Sequence, residues 1–151
     1  MTQPLPTAGE IQGREHVLPV RVYYEDTDFT GMVYHANYLR FFERGRSDGL
    51  RAAGVDHTAL AGVDTALTLT QINVKFRKPA RIDDALVVAT YFERIDGPRL
   101  VMRQALRRGE TLMAEAAVEA CCISMTGRAR RPPPLLVDKL KPYLEPLTSM
   151  F

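Results

Sequence analysis

The chain has 151 residues, 46% of them hydrophobic, with 20 Lys and Arg against 18 Asp and Glu. That is enough for one buried core without disulfides or metals. A net charge of +2 is too mild to mark a nucleic-acid binder, and no apolar run approaches the roughly 20 residues of a membrane span.

Residues 1–15 carry Pro4, Pro6, Gly9, Glu10, Gly13, Arg14 and Glu15. They lack the apolar centre of a signal peptide, so they read as a flexible N-terminal extension on a cytoplasmic protein. His16 to Tyr24 is rich in β-branched and aromatic residues and reads as a strand, with Pro19 marking an edge or a bulge. Glu25 to Tyr34 is a polar loop. From His35 to about Ala53, the apolar residues Tyr38, Leu39, Phe41, Phe42, Leu50 and Ala53 recur at mostly helical spacing, and Gly54 is a stop signal. That helix spans about 28 Å. Gly45 and Gly49 fall on one side of it, one turn apart. Each costs roughly 1 kcal/mol against alanine, which predicts close approach of the backbone to a neighbour.

Asp56 to Ala61 reads as a short second helix. Thr65 to Phe76 then alternates with period two and Pro79 ends the run. Asp84 to Ile95 is another strand, closed by the turn Asp96-Gly97-Pro98. Arg99 to Arg108 follows, then a hairpin at Gly109, then Thr111 to Met125. Along this last strand Ala114, Ala116, Val118, Ala120 and Cys122 share one face, small enough to pack against a helix. Thr126 to Pro134 is a basic, proline-rich break, and Leu135 to Leu147 an end helix interrupted by Pro142. One long helix followed by hairpin-linked strands implies an α+β fold with an antiparallel sheet of five strands around a central helix. The domain spans 16–127, and 128–151 is a basic, proline-rich tail with a short helix.

The two cysteines, Cys121 and Cys122, are adjacent. Their Cα atoms lie about 3.8 Å apart, below the usual disulfide range, so they read as reduced thiols. His16, His35 and His57 are far apart and lack metal-ligand spacing. Neither a metal nor a cofactor is expected.

The densest polar window is Tyr24 to Tyr38. A loop carboxylate at the mouth of a helix, here Asp28, can act as nucleophile or general base. The helix start offers free backbone N–H groups and a positive dipole end for a developing oxyanion. Gly31 permits a tight turn, and His35 stands where it can bond a water or a leaving thiolate. The set fits acyl transfer to water. The plainer reading gives Asp28, His35 and Asn37 to turn and cap bonds.

The window, written Tyr-x-Asp-Thr-Asp-x-x-Gly-x-Val-Tyr-His-x-Asn-Tyr, resembles the signature of hotdog-fold acyl-CoA thioesterases. The resemblance is to the 4-hydroxybenzoyl-CoA thioesterase family and, within it, to the tol-pal-associated acyl-CoA thioesterases. It is densest from Arg21 to Arg46 and extends in outline from Leu18 to Thr126, including Val74-Lys75-Phe76-Arg77-Lys78-Pro79-Ala80. It implies a hotdog fold, a helix wrapped by an antiparallel sheet, in dimers or tetramers. It implies hydrolysis of a short-chain or aromatic acyl-CoA, with Asp28 as the catalytic carboxylate, His35 as the active-site histidine and Tyr24 lining the site. The N–H of residue 35 would face the thioester carbonyl. Gly31, Val33, Tyr34 and Asn37 are expected at the substrate. Lys75, Arg77, Lys78 and Arg81, and further along Arg94, Arg99, Arg103, Arg107 and Arg108, are candidates for the CoA phosphates. Asp26 is read as a loop-fixing acceptor and Glu43 as structural or solvent-facing. Phe29 and Thr30 stand where the family often has smaller residues, so Phe29 is expected to reshape the acyl pocket.

Asp26 to Thr30 also matches the Asp-x-Asp-x-Thr pattern of haloacid-dehalogenase-type phosphatases, with Asp83 and Asp84 as a later Mg²⁺-binding pair. Such enzymes need parallel strands with crossover helices, which the hairpins after Gly62 do not supply. Two further readings stay open: a non-catalytic acyl-binding module, and acyl carrier protein in place of CoA.

Overall fold

The computed structural model describes residues 2–145. In chain order it contains Glu10–Gln12 (β1), Glu15–Arg21 (β2), Asn37–Ala52 (α1), His57–Ala61 (α2), Ala66–Phe76 (β3), Ala85–Asp96 (β4), Arg99–Arg108 (β5), Thr111–Ile123 (β6) and Pro134–Leu140 (α3). Short 3-10 turns lie at Tyr24–Asp26 and Lys141–Tyr143. The strands form one antiparallel sheet in the order β1-β2-β4-β5-β6-β3. This is the hotdog arrangement, with α1 against one face.

The sheet has six strands rather than five, because part of the expected extension is ordered. Glu10–Gln12 pairs with β2, and the Gly9 N–H donates to Asp48 Oδ2 at 2.8 Å. The same oxygen meets Nε2 of His16 at 2.8 Å, and His16 is buried. The Asp48 carboxylate of α1 therefore ties together the N-terminal segment, β2 and the helix. A buried imidazole without such a partner would be costly.

α1 buries Tyr38, Phe41, Phe42 and Leu50 against the sheet, each worth about 1.5–3 kcal/mol of transfer free energy. The expected close approach is present. A Cβ built on Gly45 would lie 2.5 Å from Val88 Cγ1, and one on Gly49 would lie 3.1 Å from Phe92 Cζ. The buried Gln104 amide at this interface is satisfied. Gln104 Nε2 donates to the Phe42 carbonyl at 2.8 Å and to Thr90 Oγ1 at 2.9 Å, and its Oε1 accepts from Arg46 at 3.0 Å. The small-residue face of β6 packs inward as its alternation implies, with Ala114, Ala116, Val118, Ala120 and Cys122 all buried.

The last strand stops at Ile123, two residues earlier than expected, because the Ser124 N–H turns back to the Arg128 carbonyl. Register shifts interrupt the ladders at Leu69/Gln71, Phe92/Arg94 and Leu106/Arg107. The tail folds onto the core: Leu136 and Leu140 of α3 are fully buried. α3 gives way to a 3-10 turn at Lys141, where Pro142 cannot donate to the helix. Pro146 and Leu147 of the expected end helix lie outside the described residues. Among the described residues no helix is long and apolar enough to cross a membrane.

Candidate active site

The loop between β2 and α1 is built on Asp26. This carboxylate is 4% exposed. One oxygen accepts the Tyr23 N–H at 2.8 Å and the other accepts Asn37 Nδ2 at 2.7 Å, while its backbone carbonyl accepts the Tyr34 N–H at 3.0 Å. Asp26 therefore clamps the loop to the first turn of the helix, with both carboxylate oxygens engaged and buried. Asn37 is spent on the same clamp.

Beyond Asp26 the chain makes a tight reversal. The Asp28 N–H donates to the Met32 carbonyl at 2.9 Å, and the Gly31 N–H donates back to the Asp28 carbonyl at 3.1 Å. Gly31 has φ = +80°, a conformation that side chains disfavour. The reversal docks on the segment after β3, where Val33 N–H donates to the Ala80 carbonyl at 2.8 Å and Met32 bridges to Arg81.

These two segments enclose a cavity of about 460 Å³. Asp28, Val33, Tyr34, His35, Arg77 and Lys78, all anticipated from the sequence, line it together. Tyr24, Gly31, Asn37 and Lys75 do not. Tyr24 sits on the 3-10 turn and is 83% exposed. Gly31 shapes the reversal, and Asn37 is turned to Asp26. Lys75 lines a separate concavity with Tyr91 and Arg107, because neighbouring strand residues alternate faces. Phe29 is fully exposed and does not line the cavity. Most of the other candidate arginines are held in ion pairs: Arg94 and Arg103 with Glu93, Arg99 with Glu119, Arg107 with Glu15, and Arg108 with Asp84. Glu43 lines a different, smaller cavity.

Met32, Tyr38, Phe76 and Pro79 also line the site and were not anticipated there. Tyr38 reads from sequence as a helix core residue. It is buried, its hydroxyl accepts the Ala80 N–H at 3.0 Å, and its ring meets Phe76 edge-on at 5.1 Å. The period-two signal of β3 places Phe76 on a face but not beside a helix end.

The electrostatics favour an ionised Asp28. Its Oδ1 accepts from the Thr30 hydroxyl at 2.5 Å and from the Thr30 N–H at 2.8 Å. These bonds hold the carboxyl below the usual aspartate range, the hydroxyl bond most strongly. Oδ2 has no protein partner among the described residues. The helix begins at Asn37, two residues later than expected, so His35 and Ala36 lie in a turn. Among the described residues their backbone N–H groups donate to no protein acceptor, and they sit just ahead of the positive end of α1. Lys78 makes no ion pair among the described residues, whereas Arg77 is held by Glu115 at 2.8 Å.

This arrangement has relatives. The family model for the thioesterase-like superfamily matches residues 22–141. The chain is 42% identical over 106 residues to an acyl-CoA thioester hydrolase of Escherichia coli O6:H1, covering 70% of this chain and 79% of that protein. It is 31% identical over 126 residues to a 1,4-dihydroxy-2-naphthoyl-CoA hydrolase of Thermosynechococcus vestitus, covering 82% and 84%. Among solved structures, a probable thioesterase from Bartonella henselae superposes with a TM-score of 0.76 at 42% identity, covering 79% of this chain and 99% of that one. With the family model spanning most of the sequence and the hotdog sheet in place, the chain belongs to the thioesterase-like superfamily.

Proposed function

We propose that the protein hydrolyses acyl-CoA thioesters in the cavity beside Asp28, releasing free CoA and a carboxylic acid. The observation that carries this reading is one cavity lined both by Asp28, an ionised carboxylate with a free oxygen, and by His35, whose backbone N–H at the helix start is unspent. Unspent N–H groups at a helix start are the kind of donor that oxyanion stabilisation uses. Acyl-CoA as substrate is taken from the names of the relatives.

In the simplest route Asp28 Oδ2 takes a proton from water as the water oxygen bonds to the carbonyl carbon. The tetrahedral oxyanion rests on the N–H groups of His35 and Ala36, the C–S bond breaks, and the thiolate takes a proton from His35 or solvent. In the alternative route Asp28 itself attacks, giving an anhydride that water then cleaves. After a single turnover in ¹⁸O-water, label in the Asp28 carboxyl group identifies the second route, because only water attack on the aspartyl carbonyl of an anhydride can put it there. Tyr34, Tyr38 and Phe76 form an aromatic wall that suits a short or flat acyl group, and Lys78 stands at the rim for a CoA phosphate. The chemistry uses only protein groups and water.

The reading includes a dimer. β3 is an edge strand of eleven residues with Leu69 46% and Phe76 53% exposed. A long open edge of that kind invites pairing with a second copy, and Phe76 at its end belongs to the cavity wall. A cytoplasmic location follows from the substrate class and is part of the same proposal. Acyl carrier protein as the carrier is tested by replacing CoA in the same assay.

General acid–base assistance is typically worth about 10²–10⁴ in rate. Asp28→Asn is therefore expected to lose at least about 10²-fold in kcat on short-chain and aromatic acyl-CoAs, read by free-thiol release. Its melting temperature should stay close to the wild type, because Asp28 lies on an exposed turn. Near-wild-type turnover would refute the assignment. Tight binding without turnover in the wild type would favour a non-catalytic binding module.

A further inference from the structure

An aspartate at the head of such a turn needs only one bond to its carboxylate, from the backbone N–H two residues on. Any residue except proline at position 30 can supply that bond. Thr30 adds a second, from its hydroxyl at 2.5 Å, to the same oxygen. The hydroxyl is itself oriented, since Thr30 Oγ1 accepts the Met32 N–H at 3.3 Å. With that lone pair engaged, the O–H points at Asp28. Threonine is also stiff about χ1, so the donor is held in place by covalent geometry as well as by hydrogen bonding. A relay therefore runs from the Met32 N–H through the Thr30 hydroxyl to Asp28 Oδ1. Both donors load one oxygen, and the other has no protein partner among the described residues.

We infer that Thr30 is a positioning residue for the hydrolysis: its hydroxyl fixes the Asp28 carboxylate so that Oδ2 alone faces the reacting water or carbonyl. This rests on the reading of Asp28 as the catalytic carboxylate. Without the hydroxyl one backbone bond alone holds the carboxylate, which leaves it more rotational freedom. The hydroxyl also keeps Asp28 ionised into more acidic solution, in agreement with its lowered proton affinity.

The test is the pH profile of kcat/KM, with kcat and KM separated at the plateau, for the wild type, Thr30→Val, Thr30→Ser and Asp28→Asn. Valine keeps the branched shape and the backbone bond but removes the hydroxyl. Thr30→Val is expected to lose about fivefold in plateau kcat, the usual worth of one hydrogen bond, with KM little changed. Its acidic limb is expected to move to higher pH. Thr30→Ser is expected to keep the wild-type limb and most of kcat. The inference is overturned if Thr30→Val keeps the wild-type limb and kcat, or if Thr30→Val and Thr30→Ser decline alike without a shift of the limb. An inactive Asp28→Asn beside an unchanged Thr30→Val overturns this inference alone. An active Asp28→Asn overturns the Asp28 reading and this inference with it.

Discussion

Replacing Gly45 by alanine sets two effects against each other. In an exposed helix the change stabilises by about 1 kcal/mol, because glycine carries the larger backbone entropy cost. At Gly45 the new methyl would lie 2.5 Å from Val88 Cγ1, 3.0 Å from Thr90 Oγ1 and 3.1 Å from Gln104 Nε2. Val88 is fully buried in β4 and stiff at χ1, so it has nowhere to turn. Gln104 Nε2 donates both to Thr90 Oγ1 and to the Phe42 carbonyl. Overpacking of this kind typically costs about 1–3 kcal/mol, and disturbing one buried hydrogen bond adds about 1 kcal/mol. The clash wins, and the net expectation is a loss of about 1–3 kcal/mol. For a domain of this size that lowers the melting temperature by roughly 3–10 °C. The assay is thermal unfolding at fixed protein concentration, since assembly would make the midpoint concentration-dependent. Gly49→Ala is the internal comparison. Its nearest contact is the ring end of Phe92 at 3.1 Å, so its loss should be smaller. A Gly45→Ala protein that melts at or above the wild-type temperature would refute the claim that α1 sits on β4 without room for a methyl.

Two other outcomes follow from buried groups. Asp26→Ala is expected to lower the melting temperature as well as activity, because it strips partners from the Tyr23 N–H and from buried Asn37. Removing one member of a buried polar pair typically costs about 1–3 kcal/mol, whereas Asp28→Asn should leave the midpoint in place; equal midpoints for the two variants would contradict the division of roles. Burial pushes the Cys122 thiol up from 9.0 to about 11. The folded state therefore keeps that proton where the unfolded state loses it, and this contribution to stability is present below pH 9 and is lost as pH rises toward about 11. Alkylation of the native protein at mildly basic pH, located by mass spectrometry, should mark the partly exposed Cys121 first. Preferential labelling of Cys122 would show that its environment is open.

The legible part of the fold was the part governed by local periodicity. Strand β5 and the end of β3 match the sequence reading, and the others differ by a few residues at their ends, because alternation and the Gly and Pro turns report directly on pleat and hairpin. The glycine pair in α1 announced its close packing by being costly otherwise. The order of Glu10–Gln12 was not legible, because its stability comes from an Asp48 carboxylate far along the chain. The ladder irregularities escaped for the same reason: they answer to neighbouring strands.

The candidate site divides along the same line. The sequence by itself determined the polar window, the turn that Gly31 demands, and the presence of Asp28 and His35 near a helix start, since all of these lie within a few residues. Only the tertiary structure decided which of them share a cavity. It set Asn37 and Asp26 against each other as a clamp, turned Tyr24 outward, and left Lys75 on the opposite sheet face from the site. It brought Phe76, Arg77 and Lys78 from the far end of β3 to the mouth of α1. The Asp26 carboxylate and carbonyl hold Asn37 and Tyr34 across the loop, beside the start of the helix at Asn37. Spacing along a chain specifies which faces side chains take, whereas proximity between distant segments comes from packing that no single segment encodes.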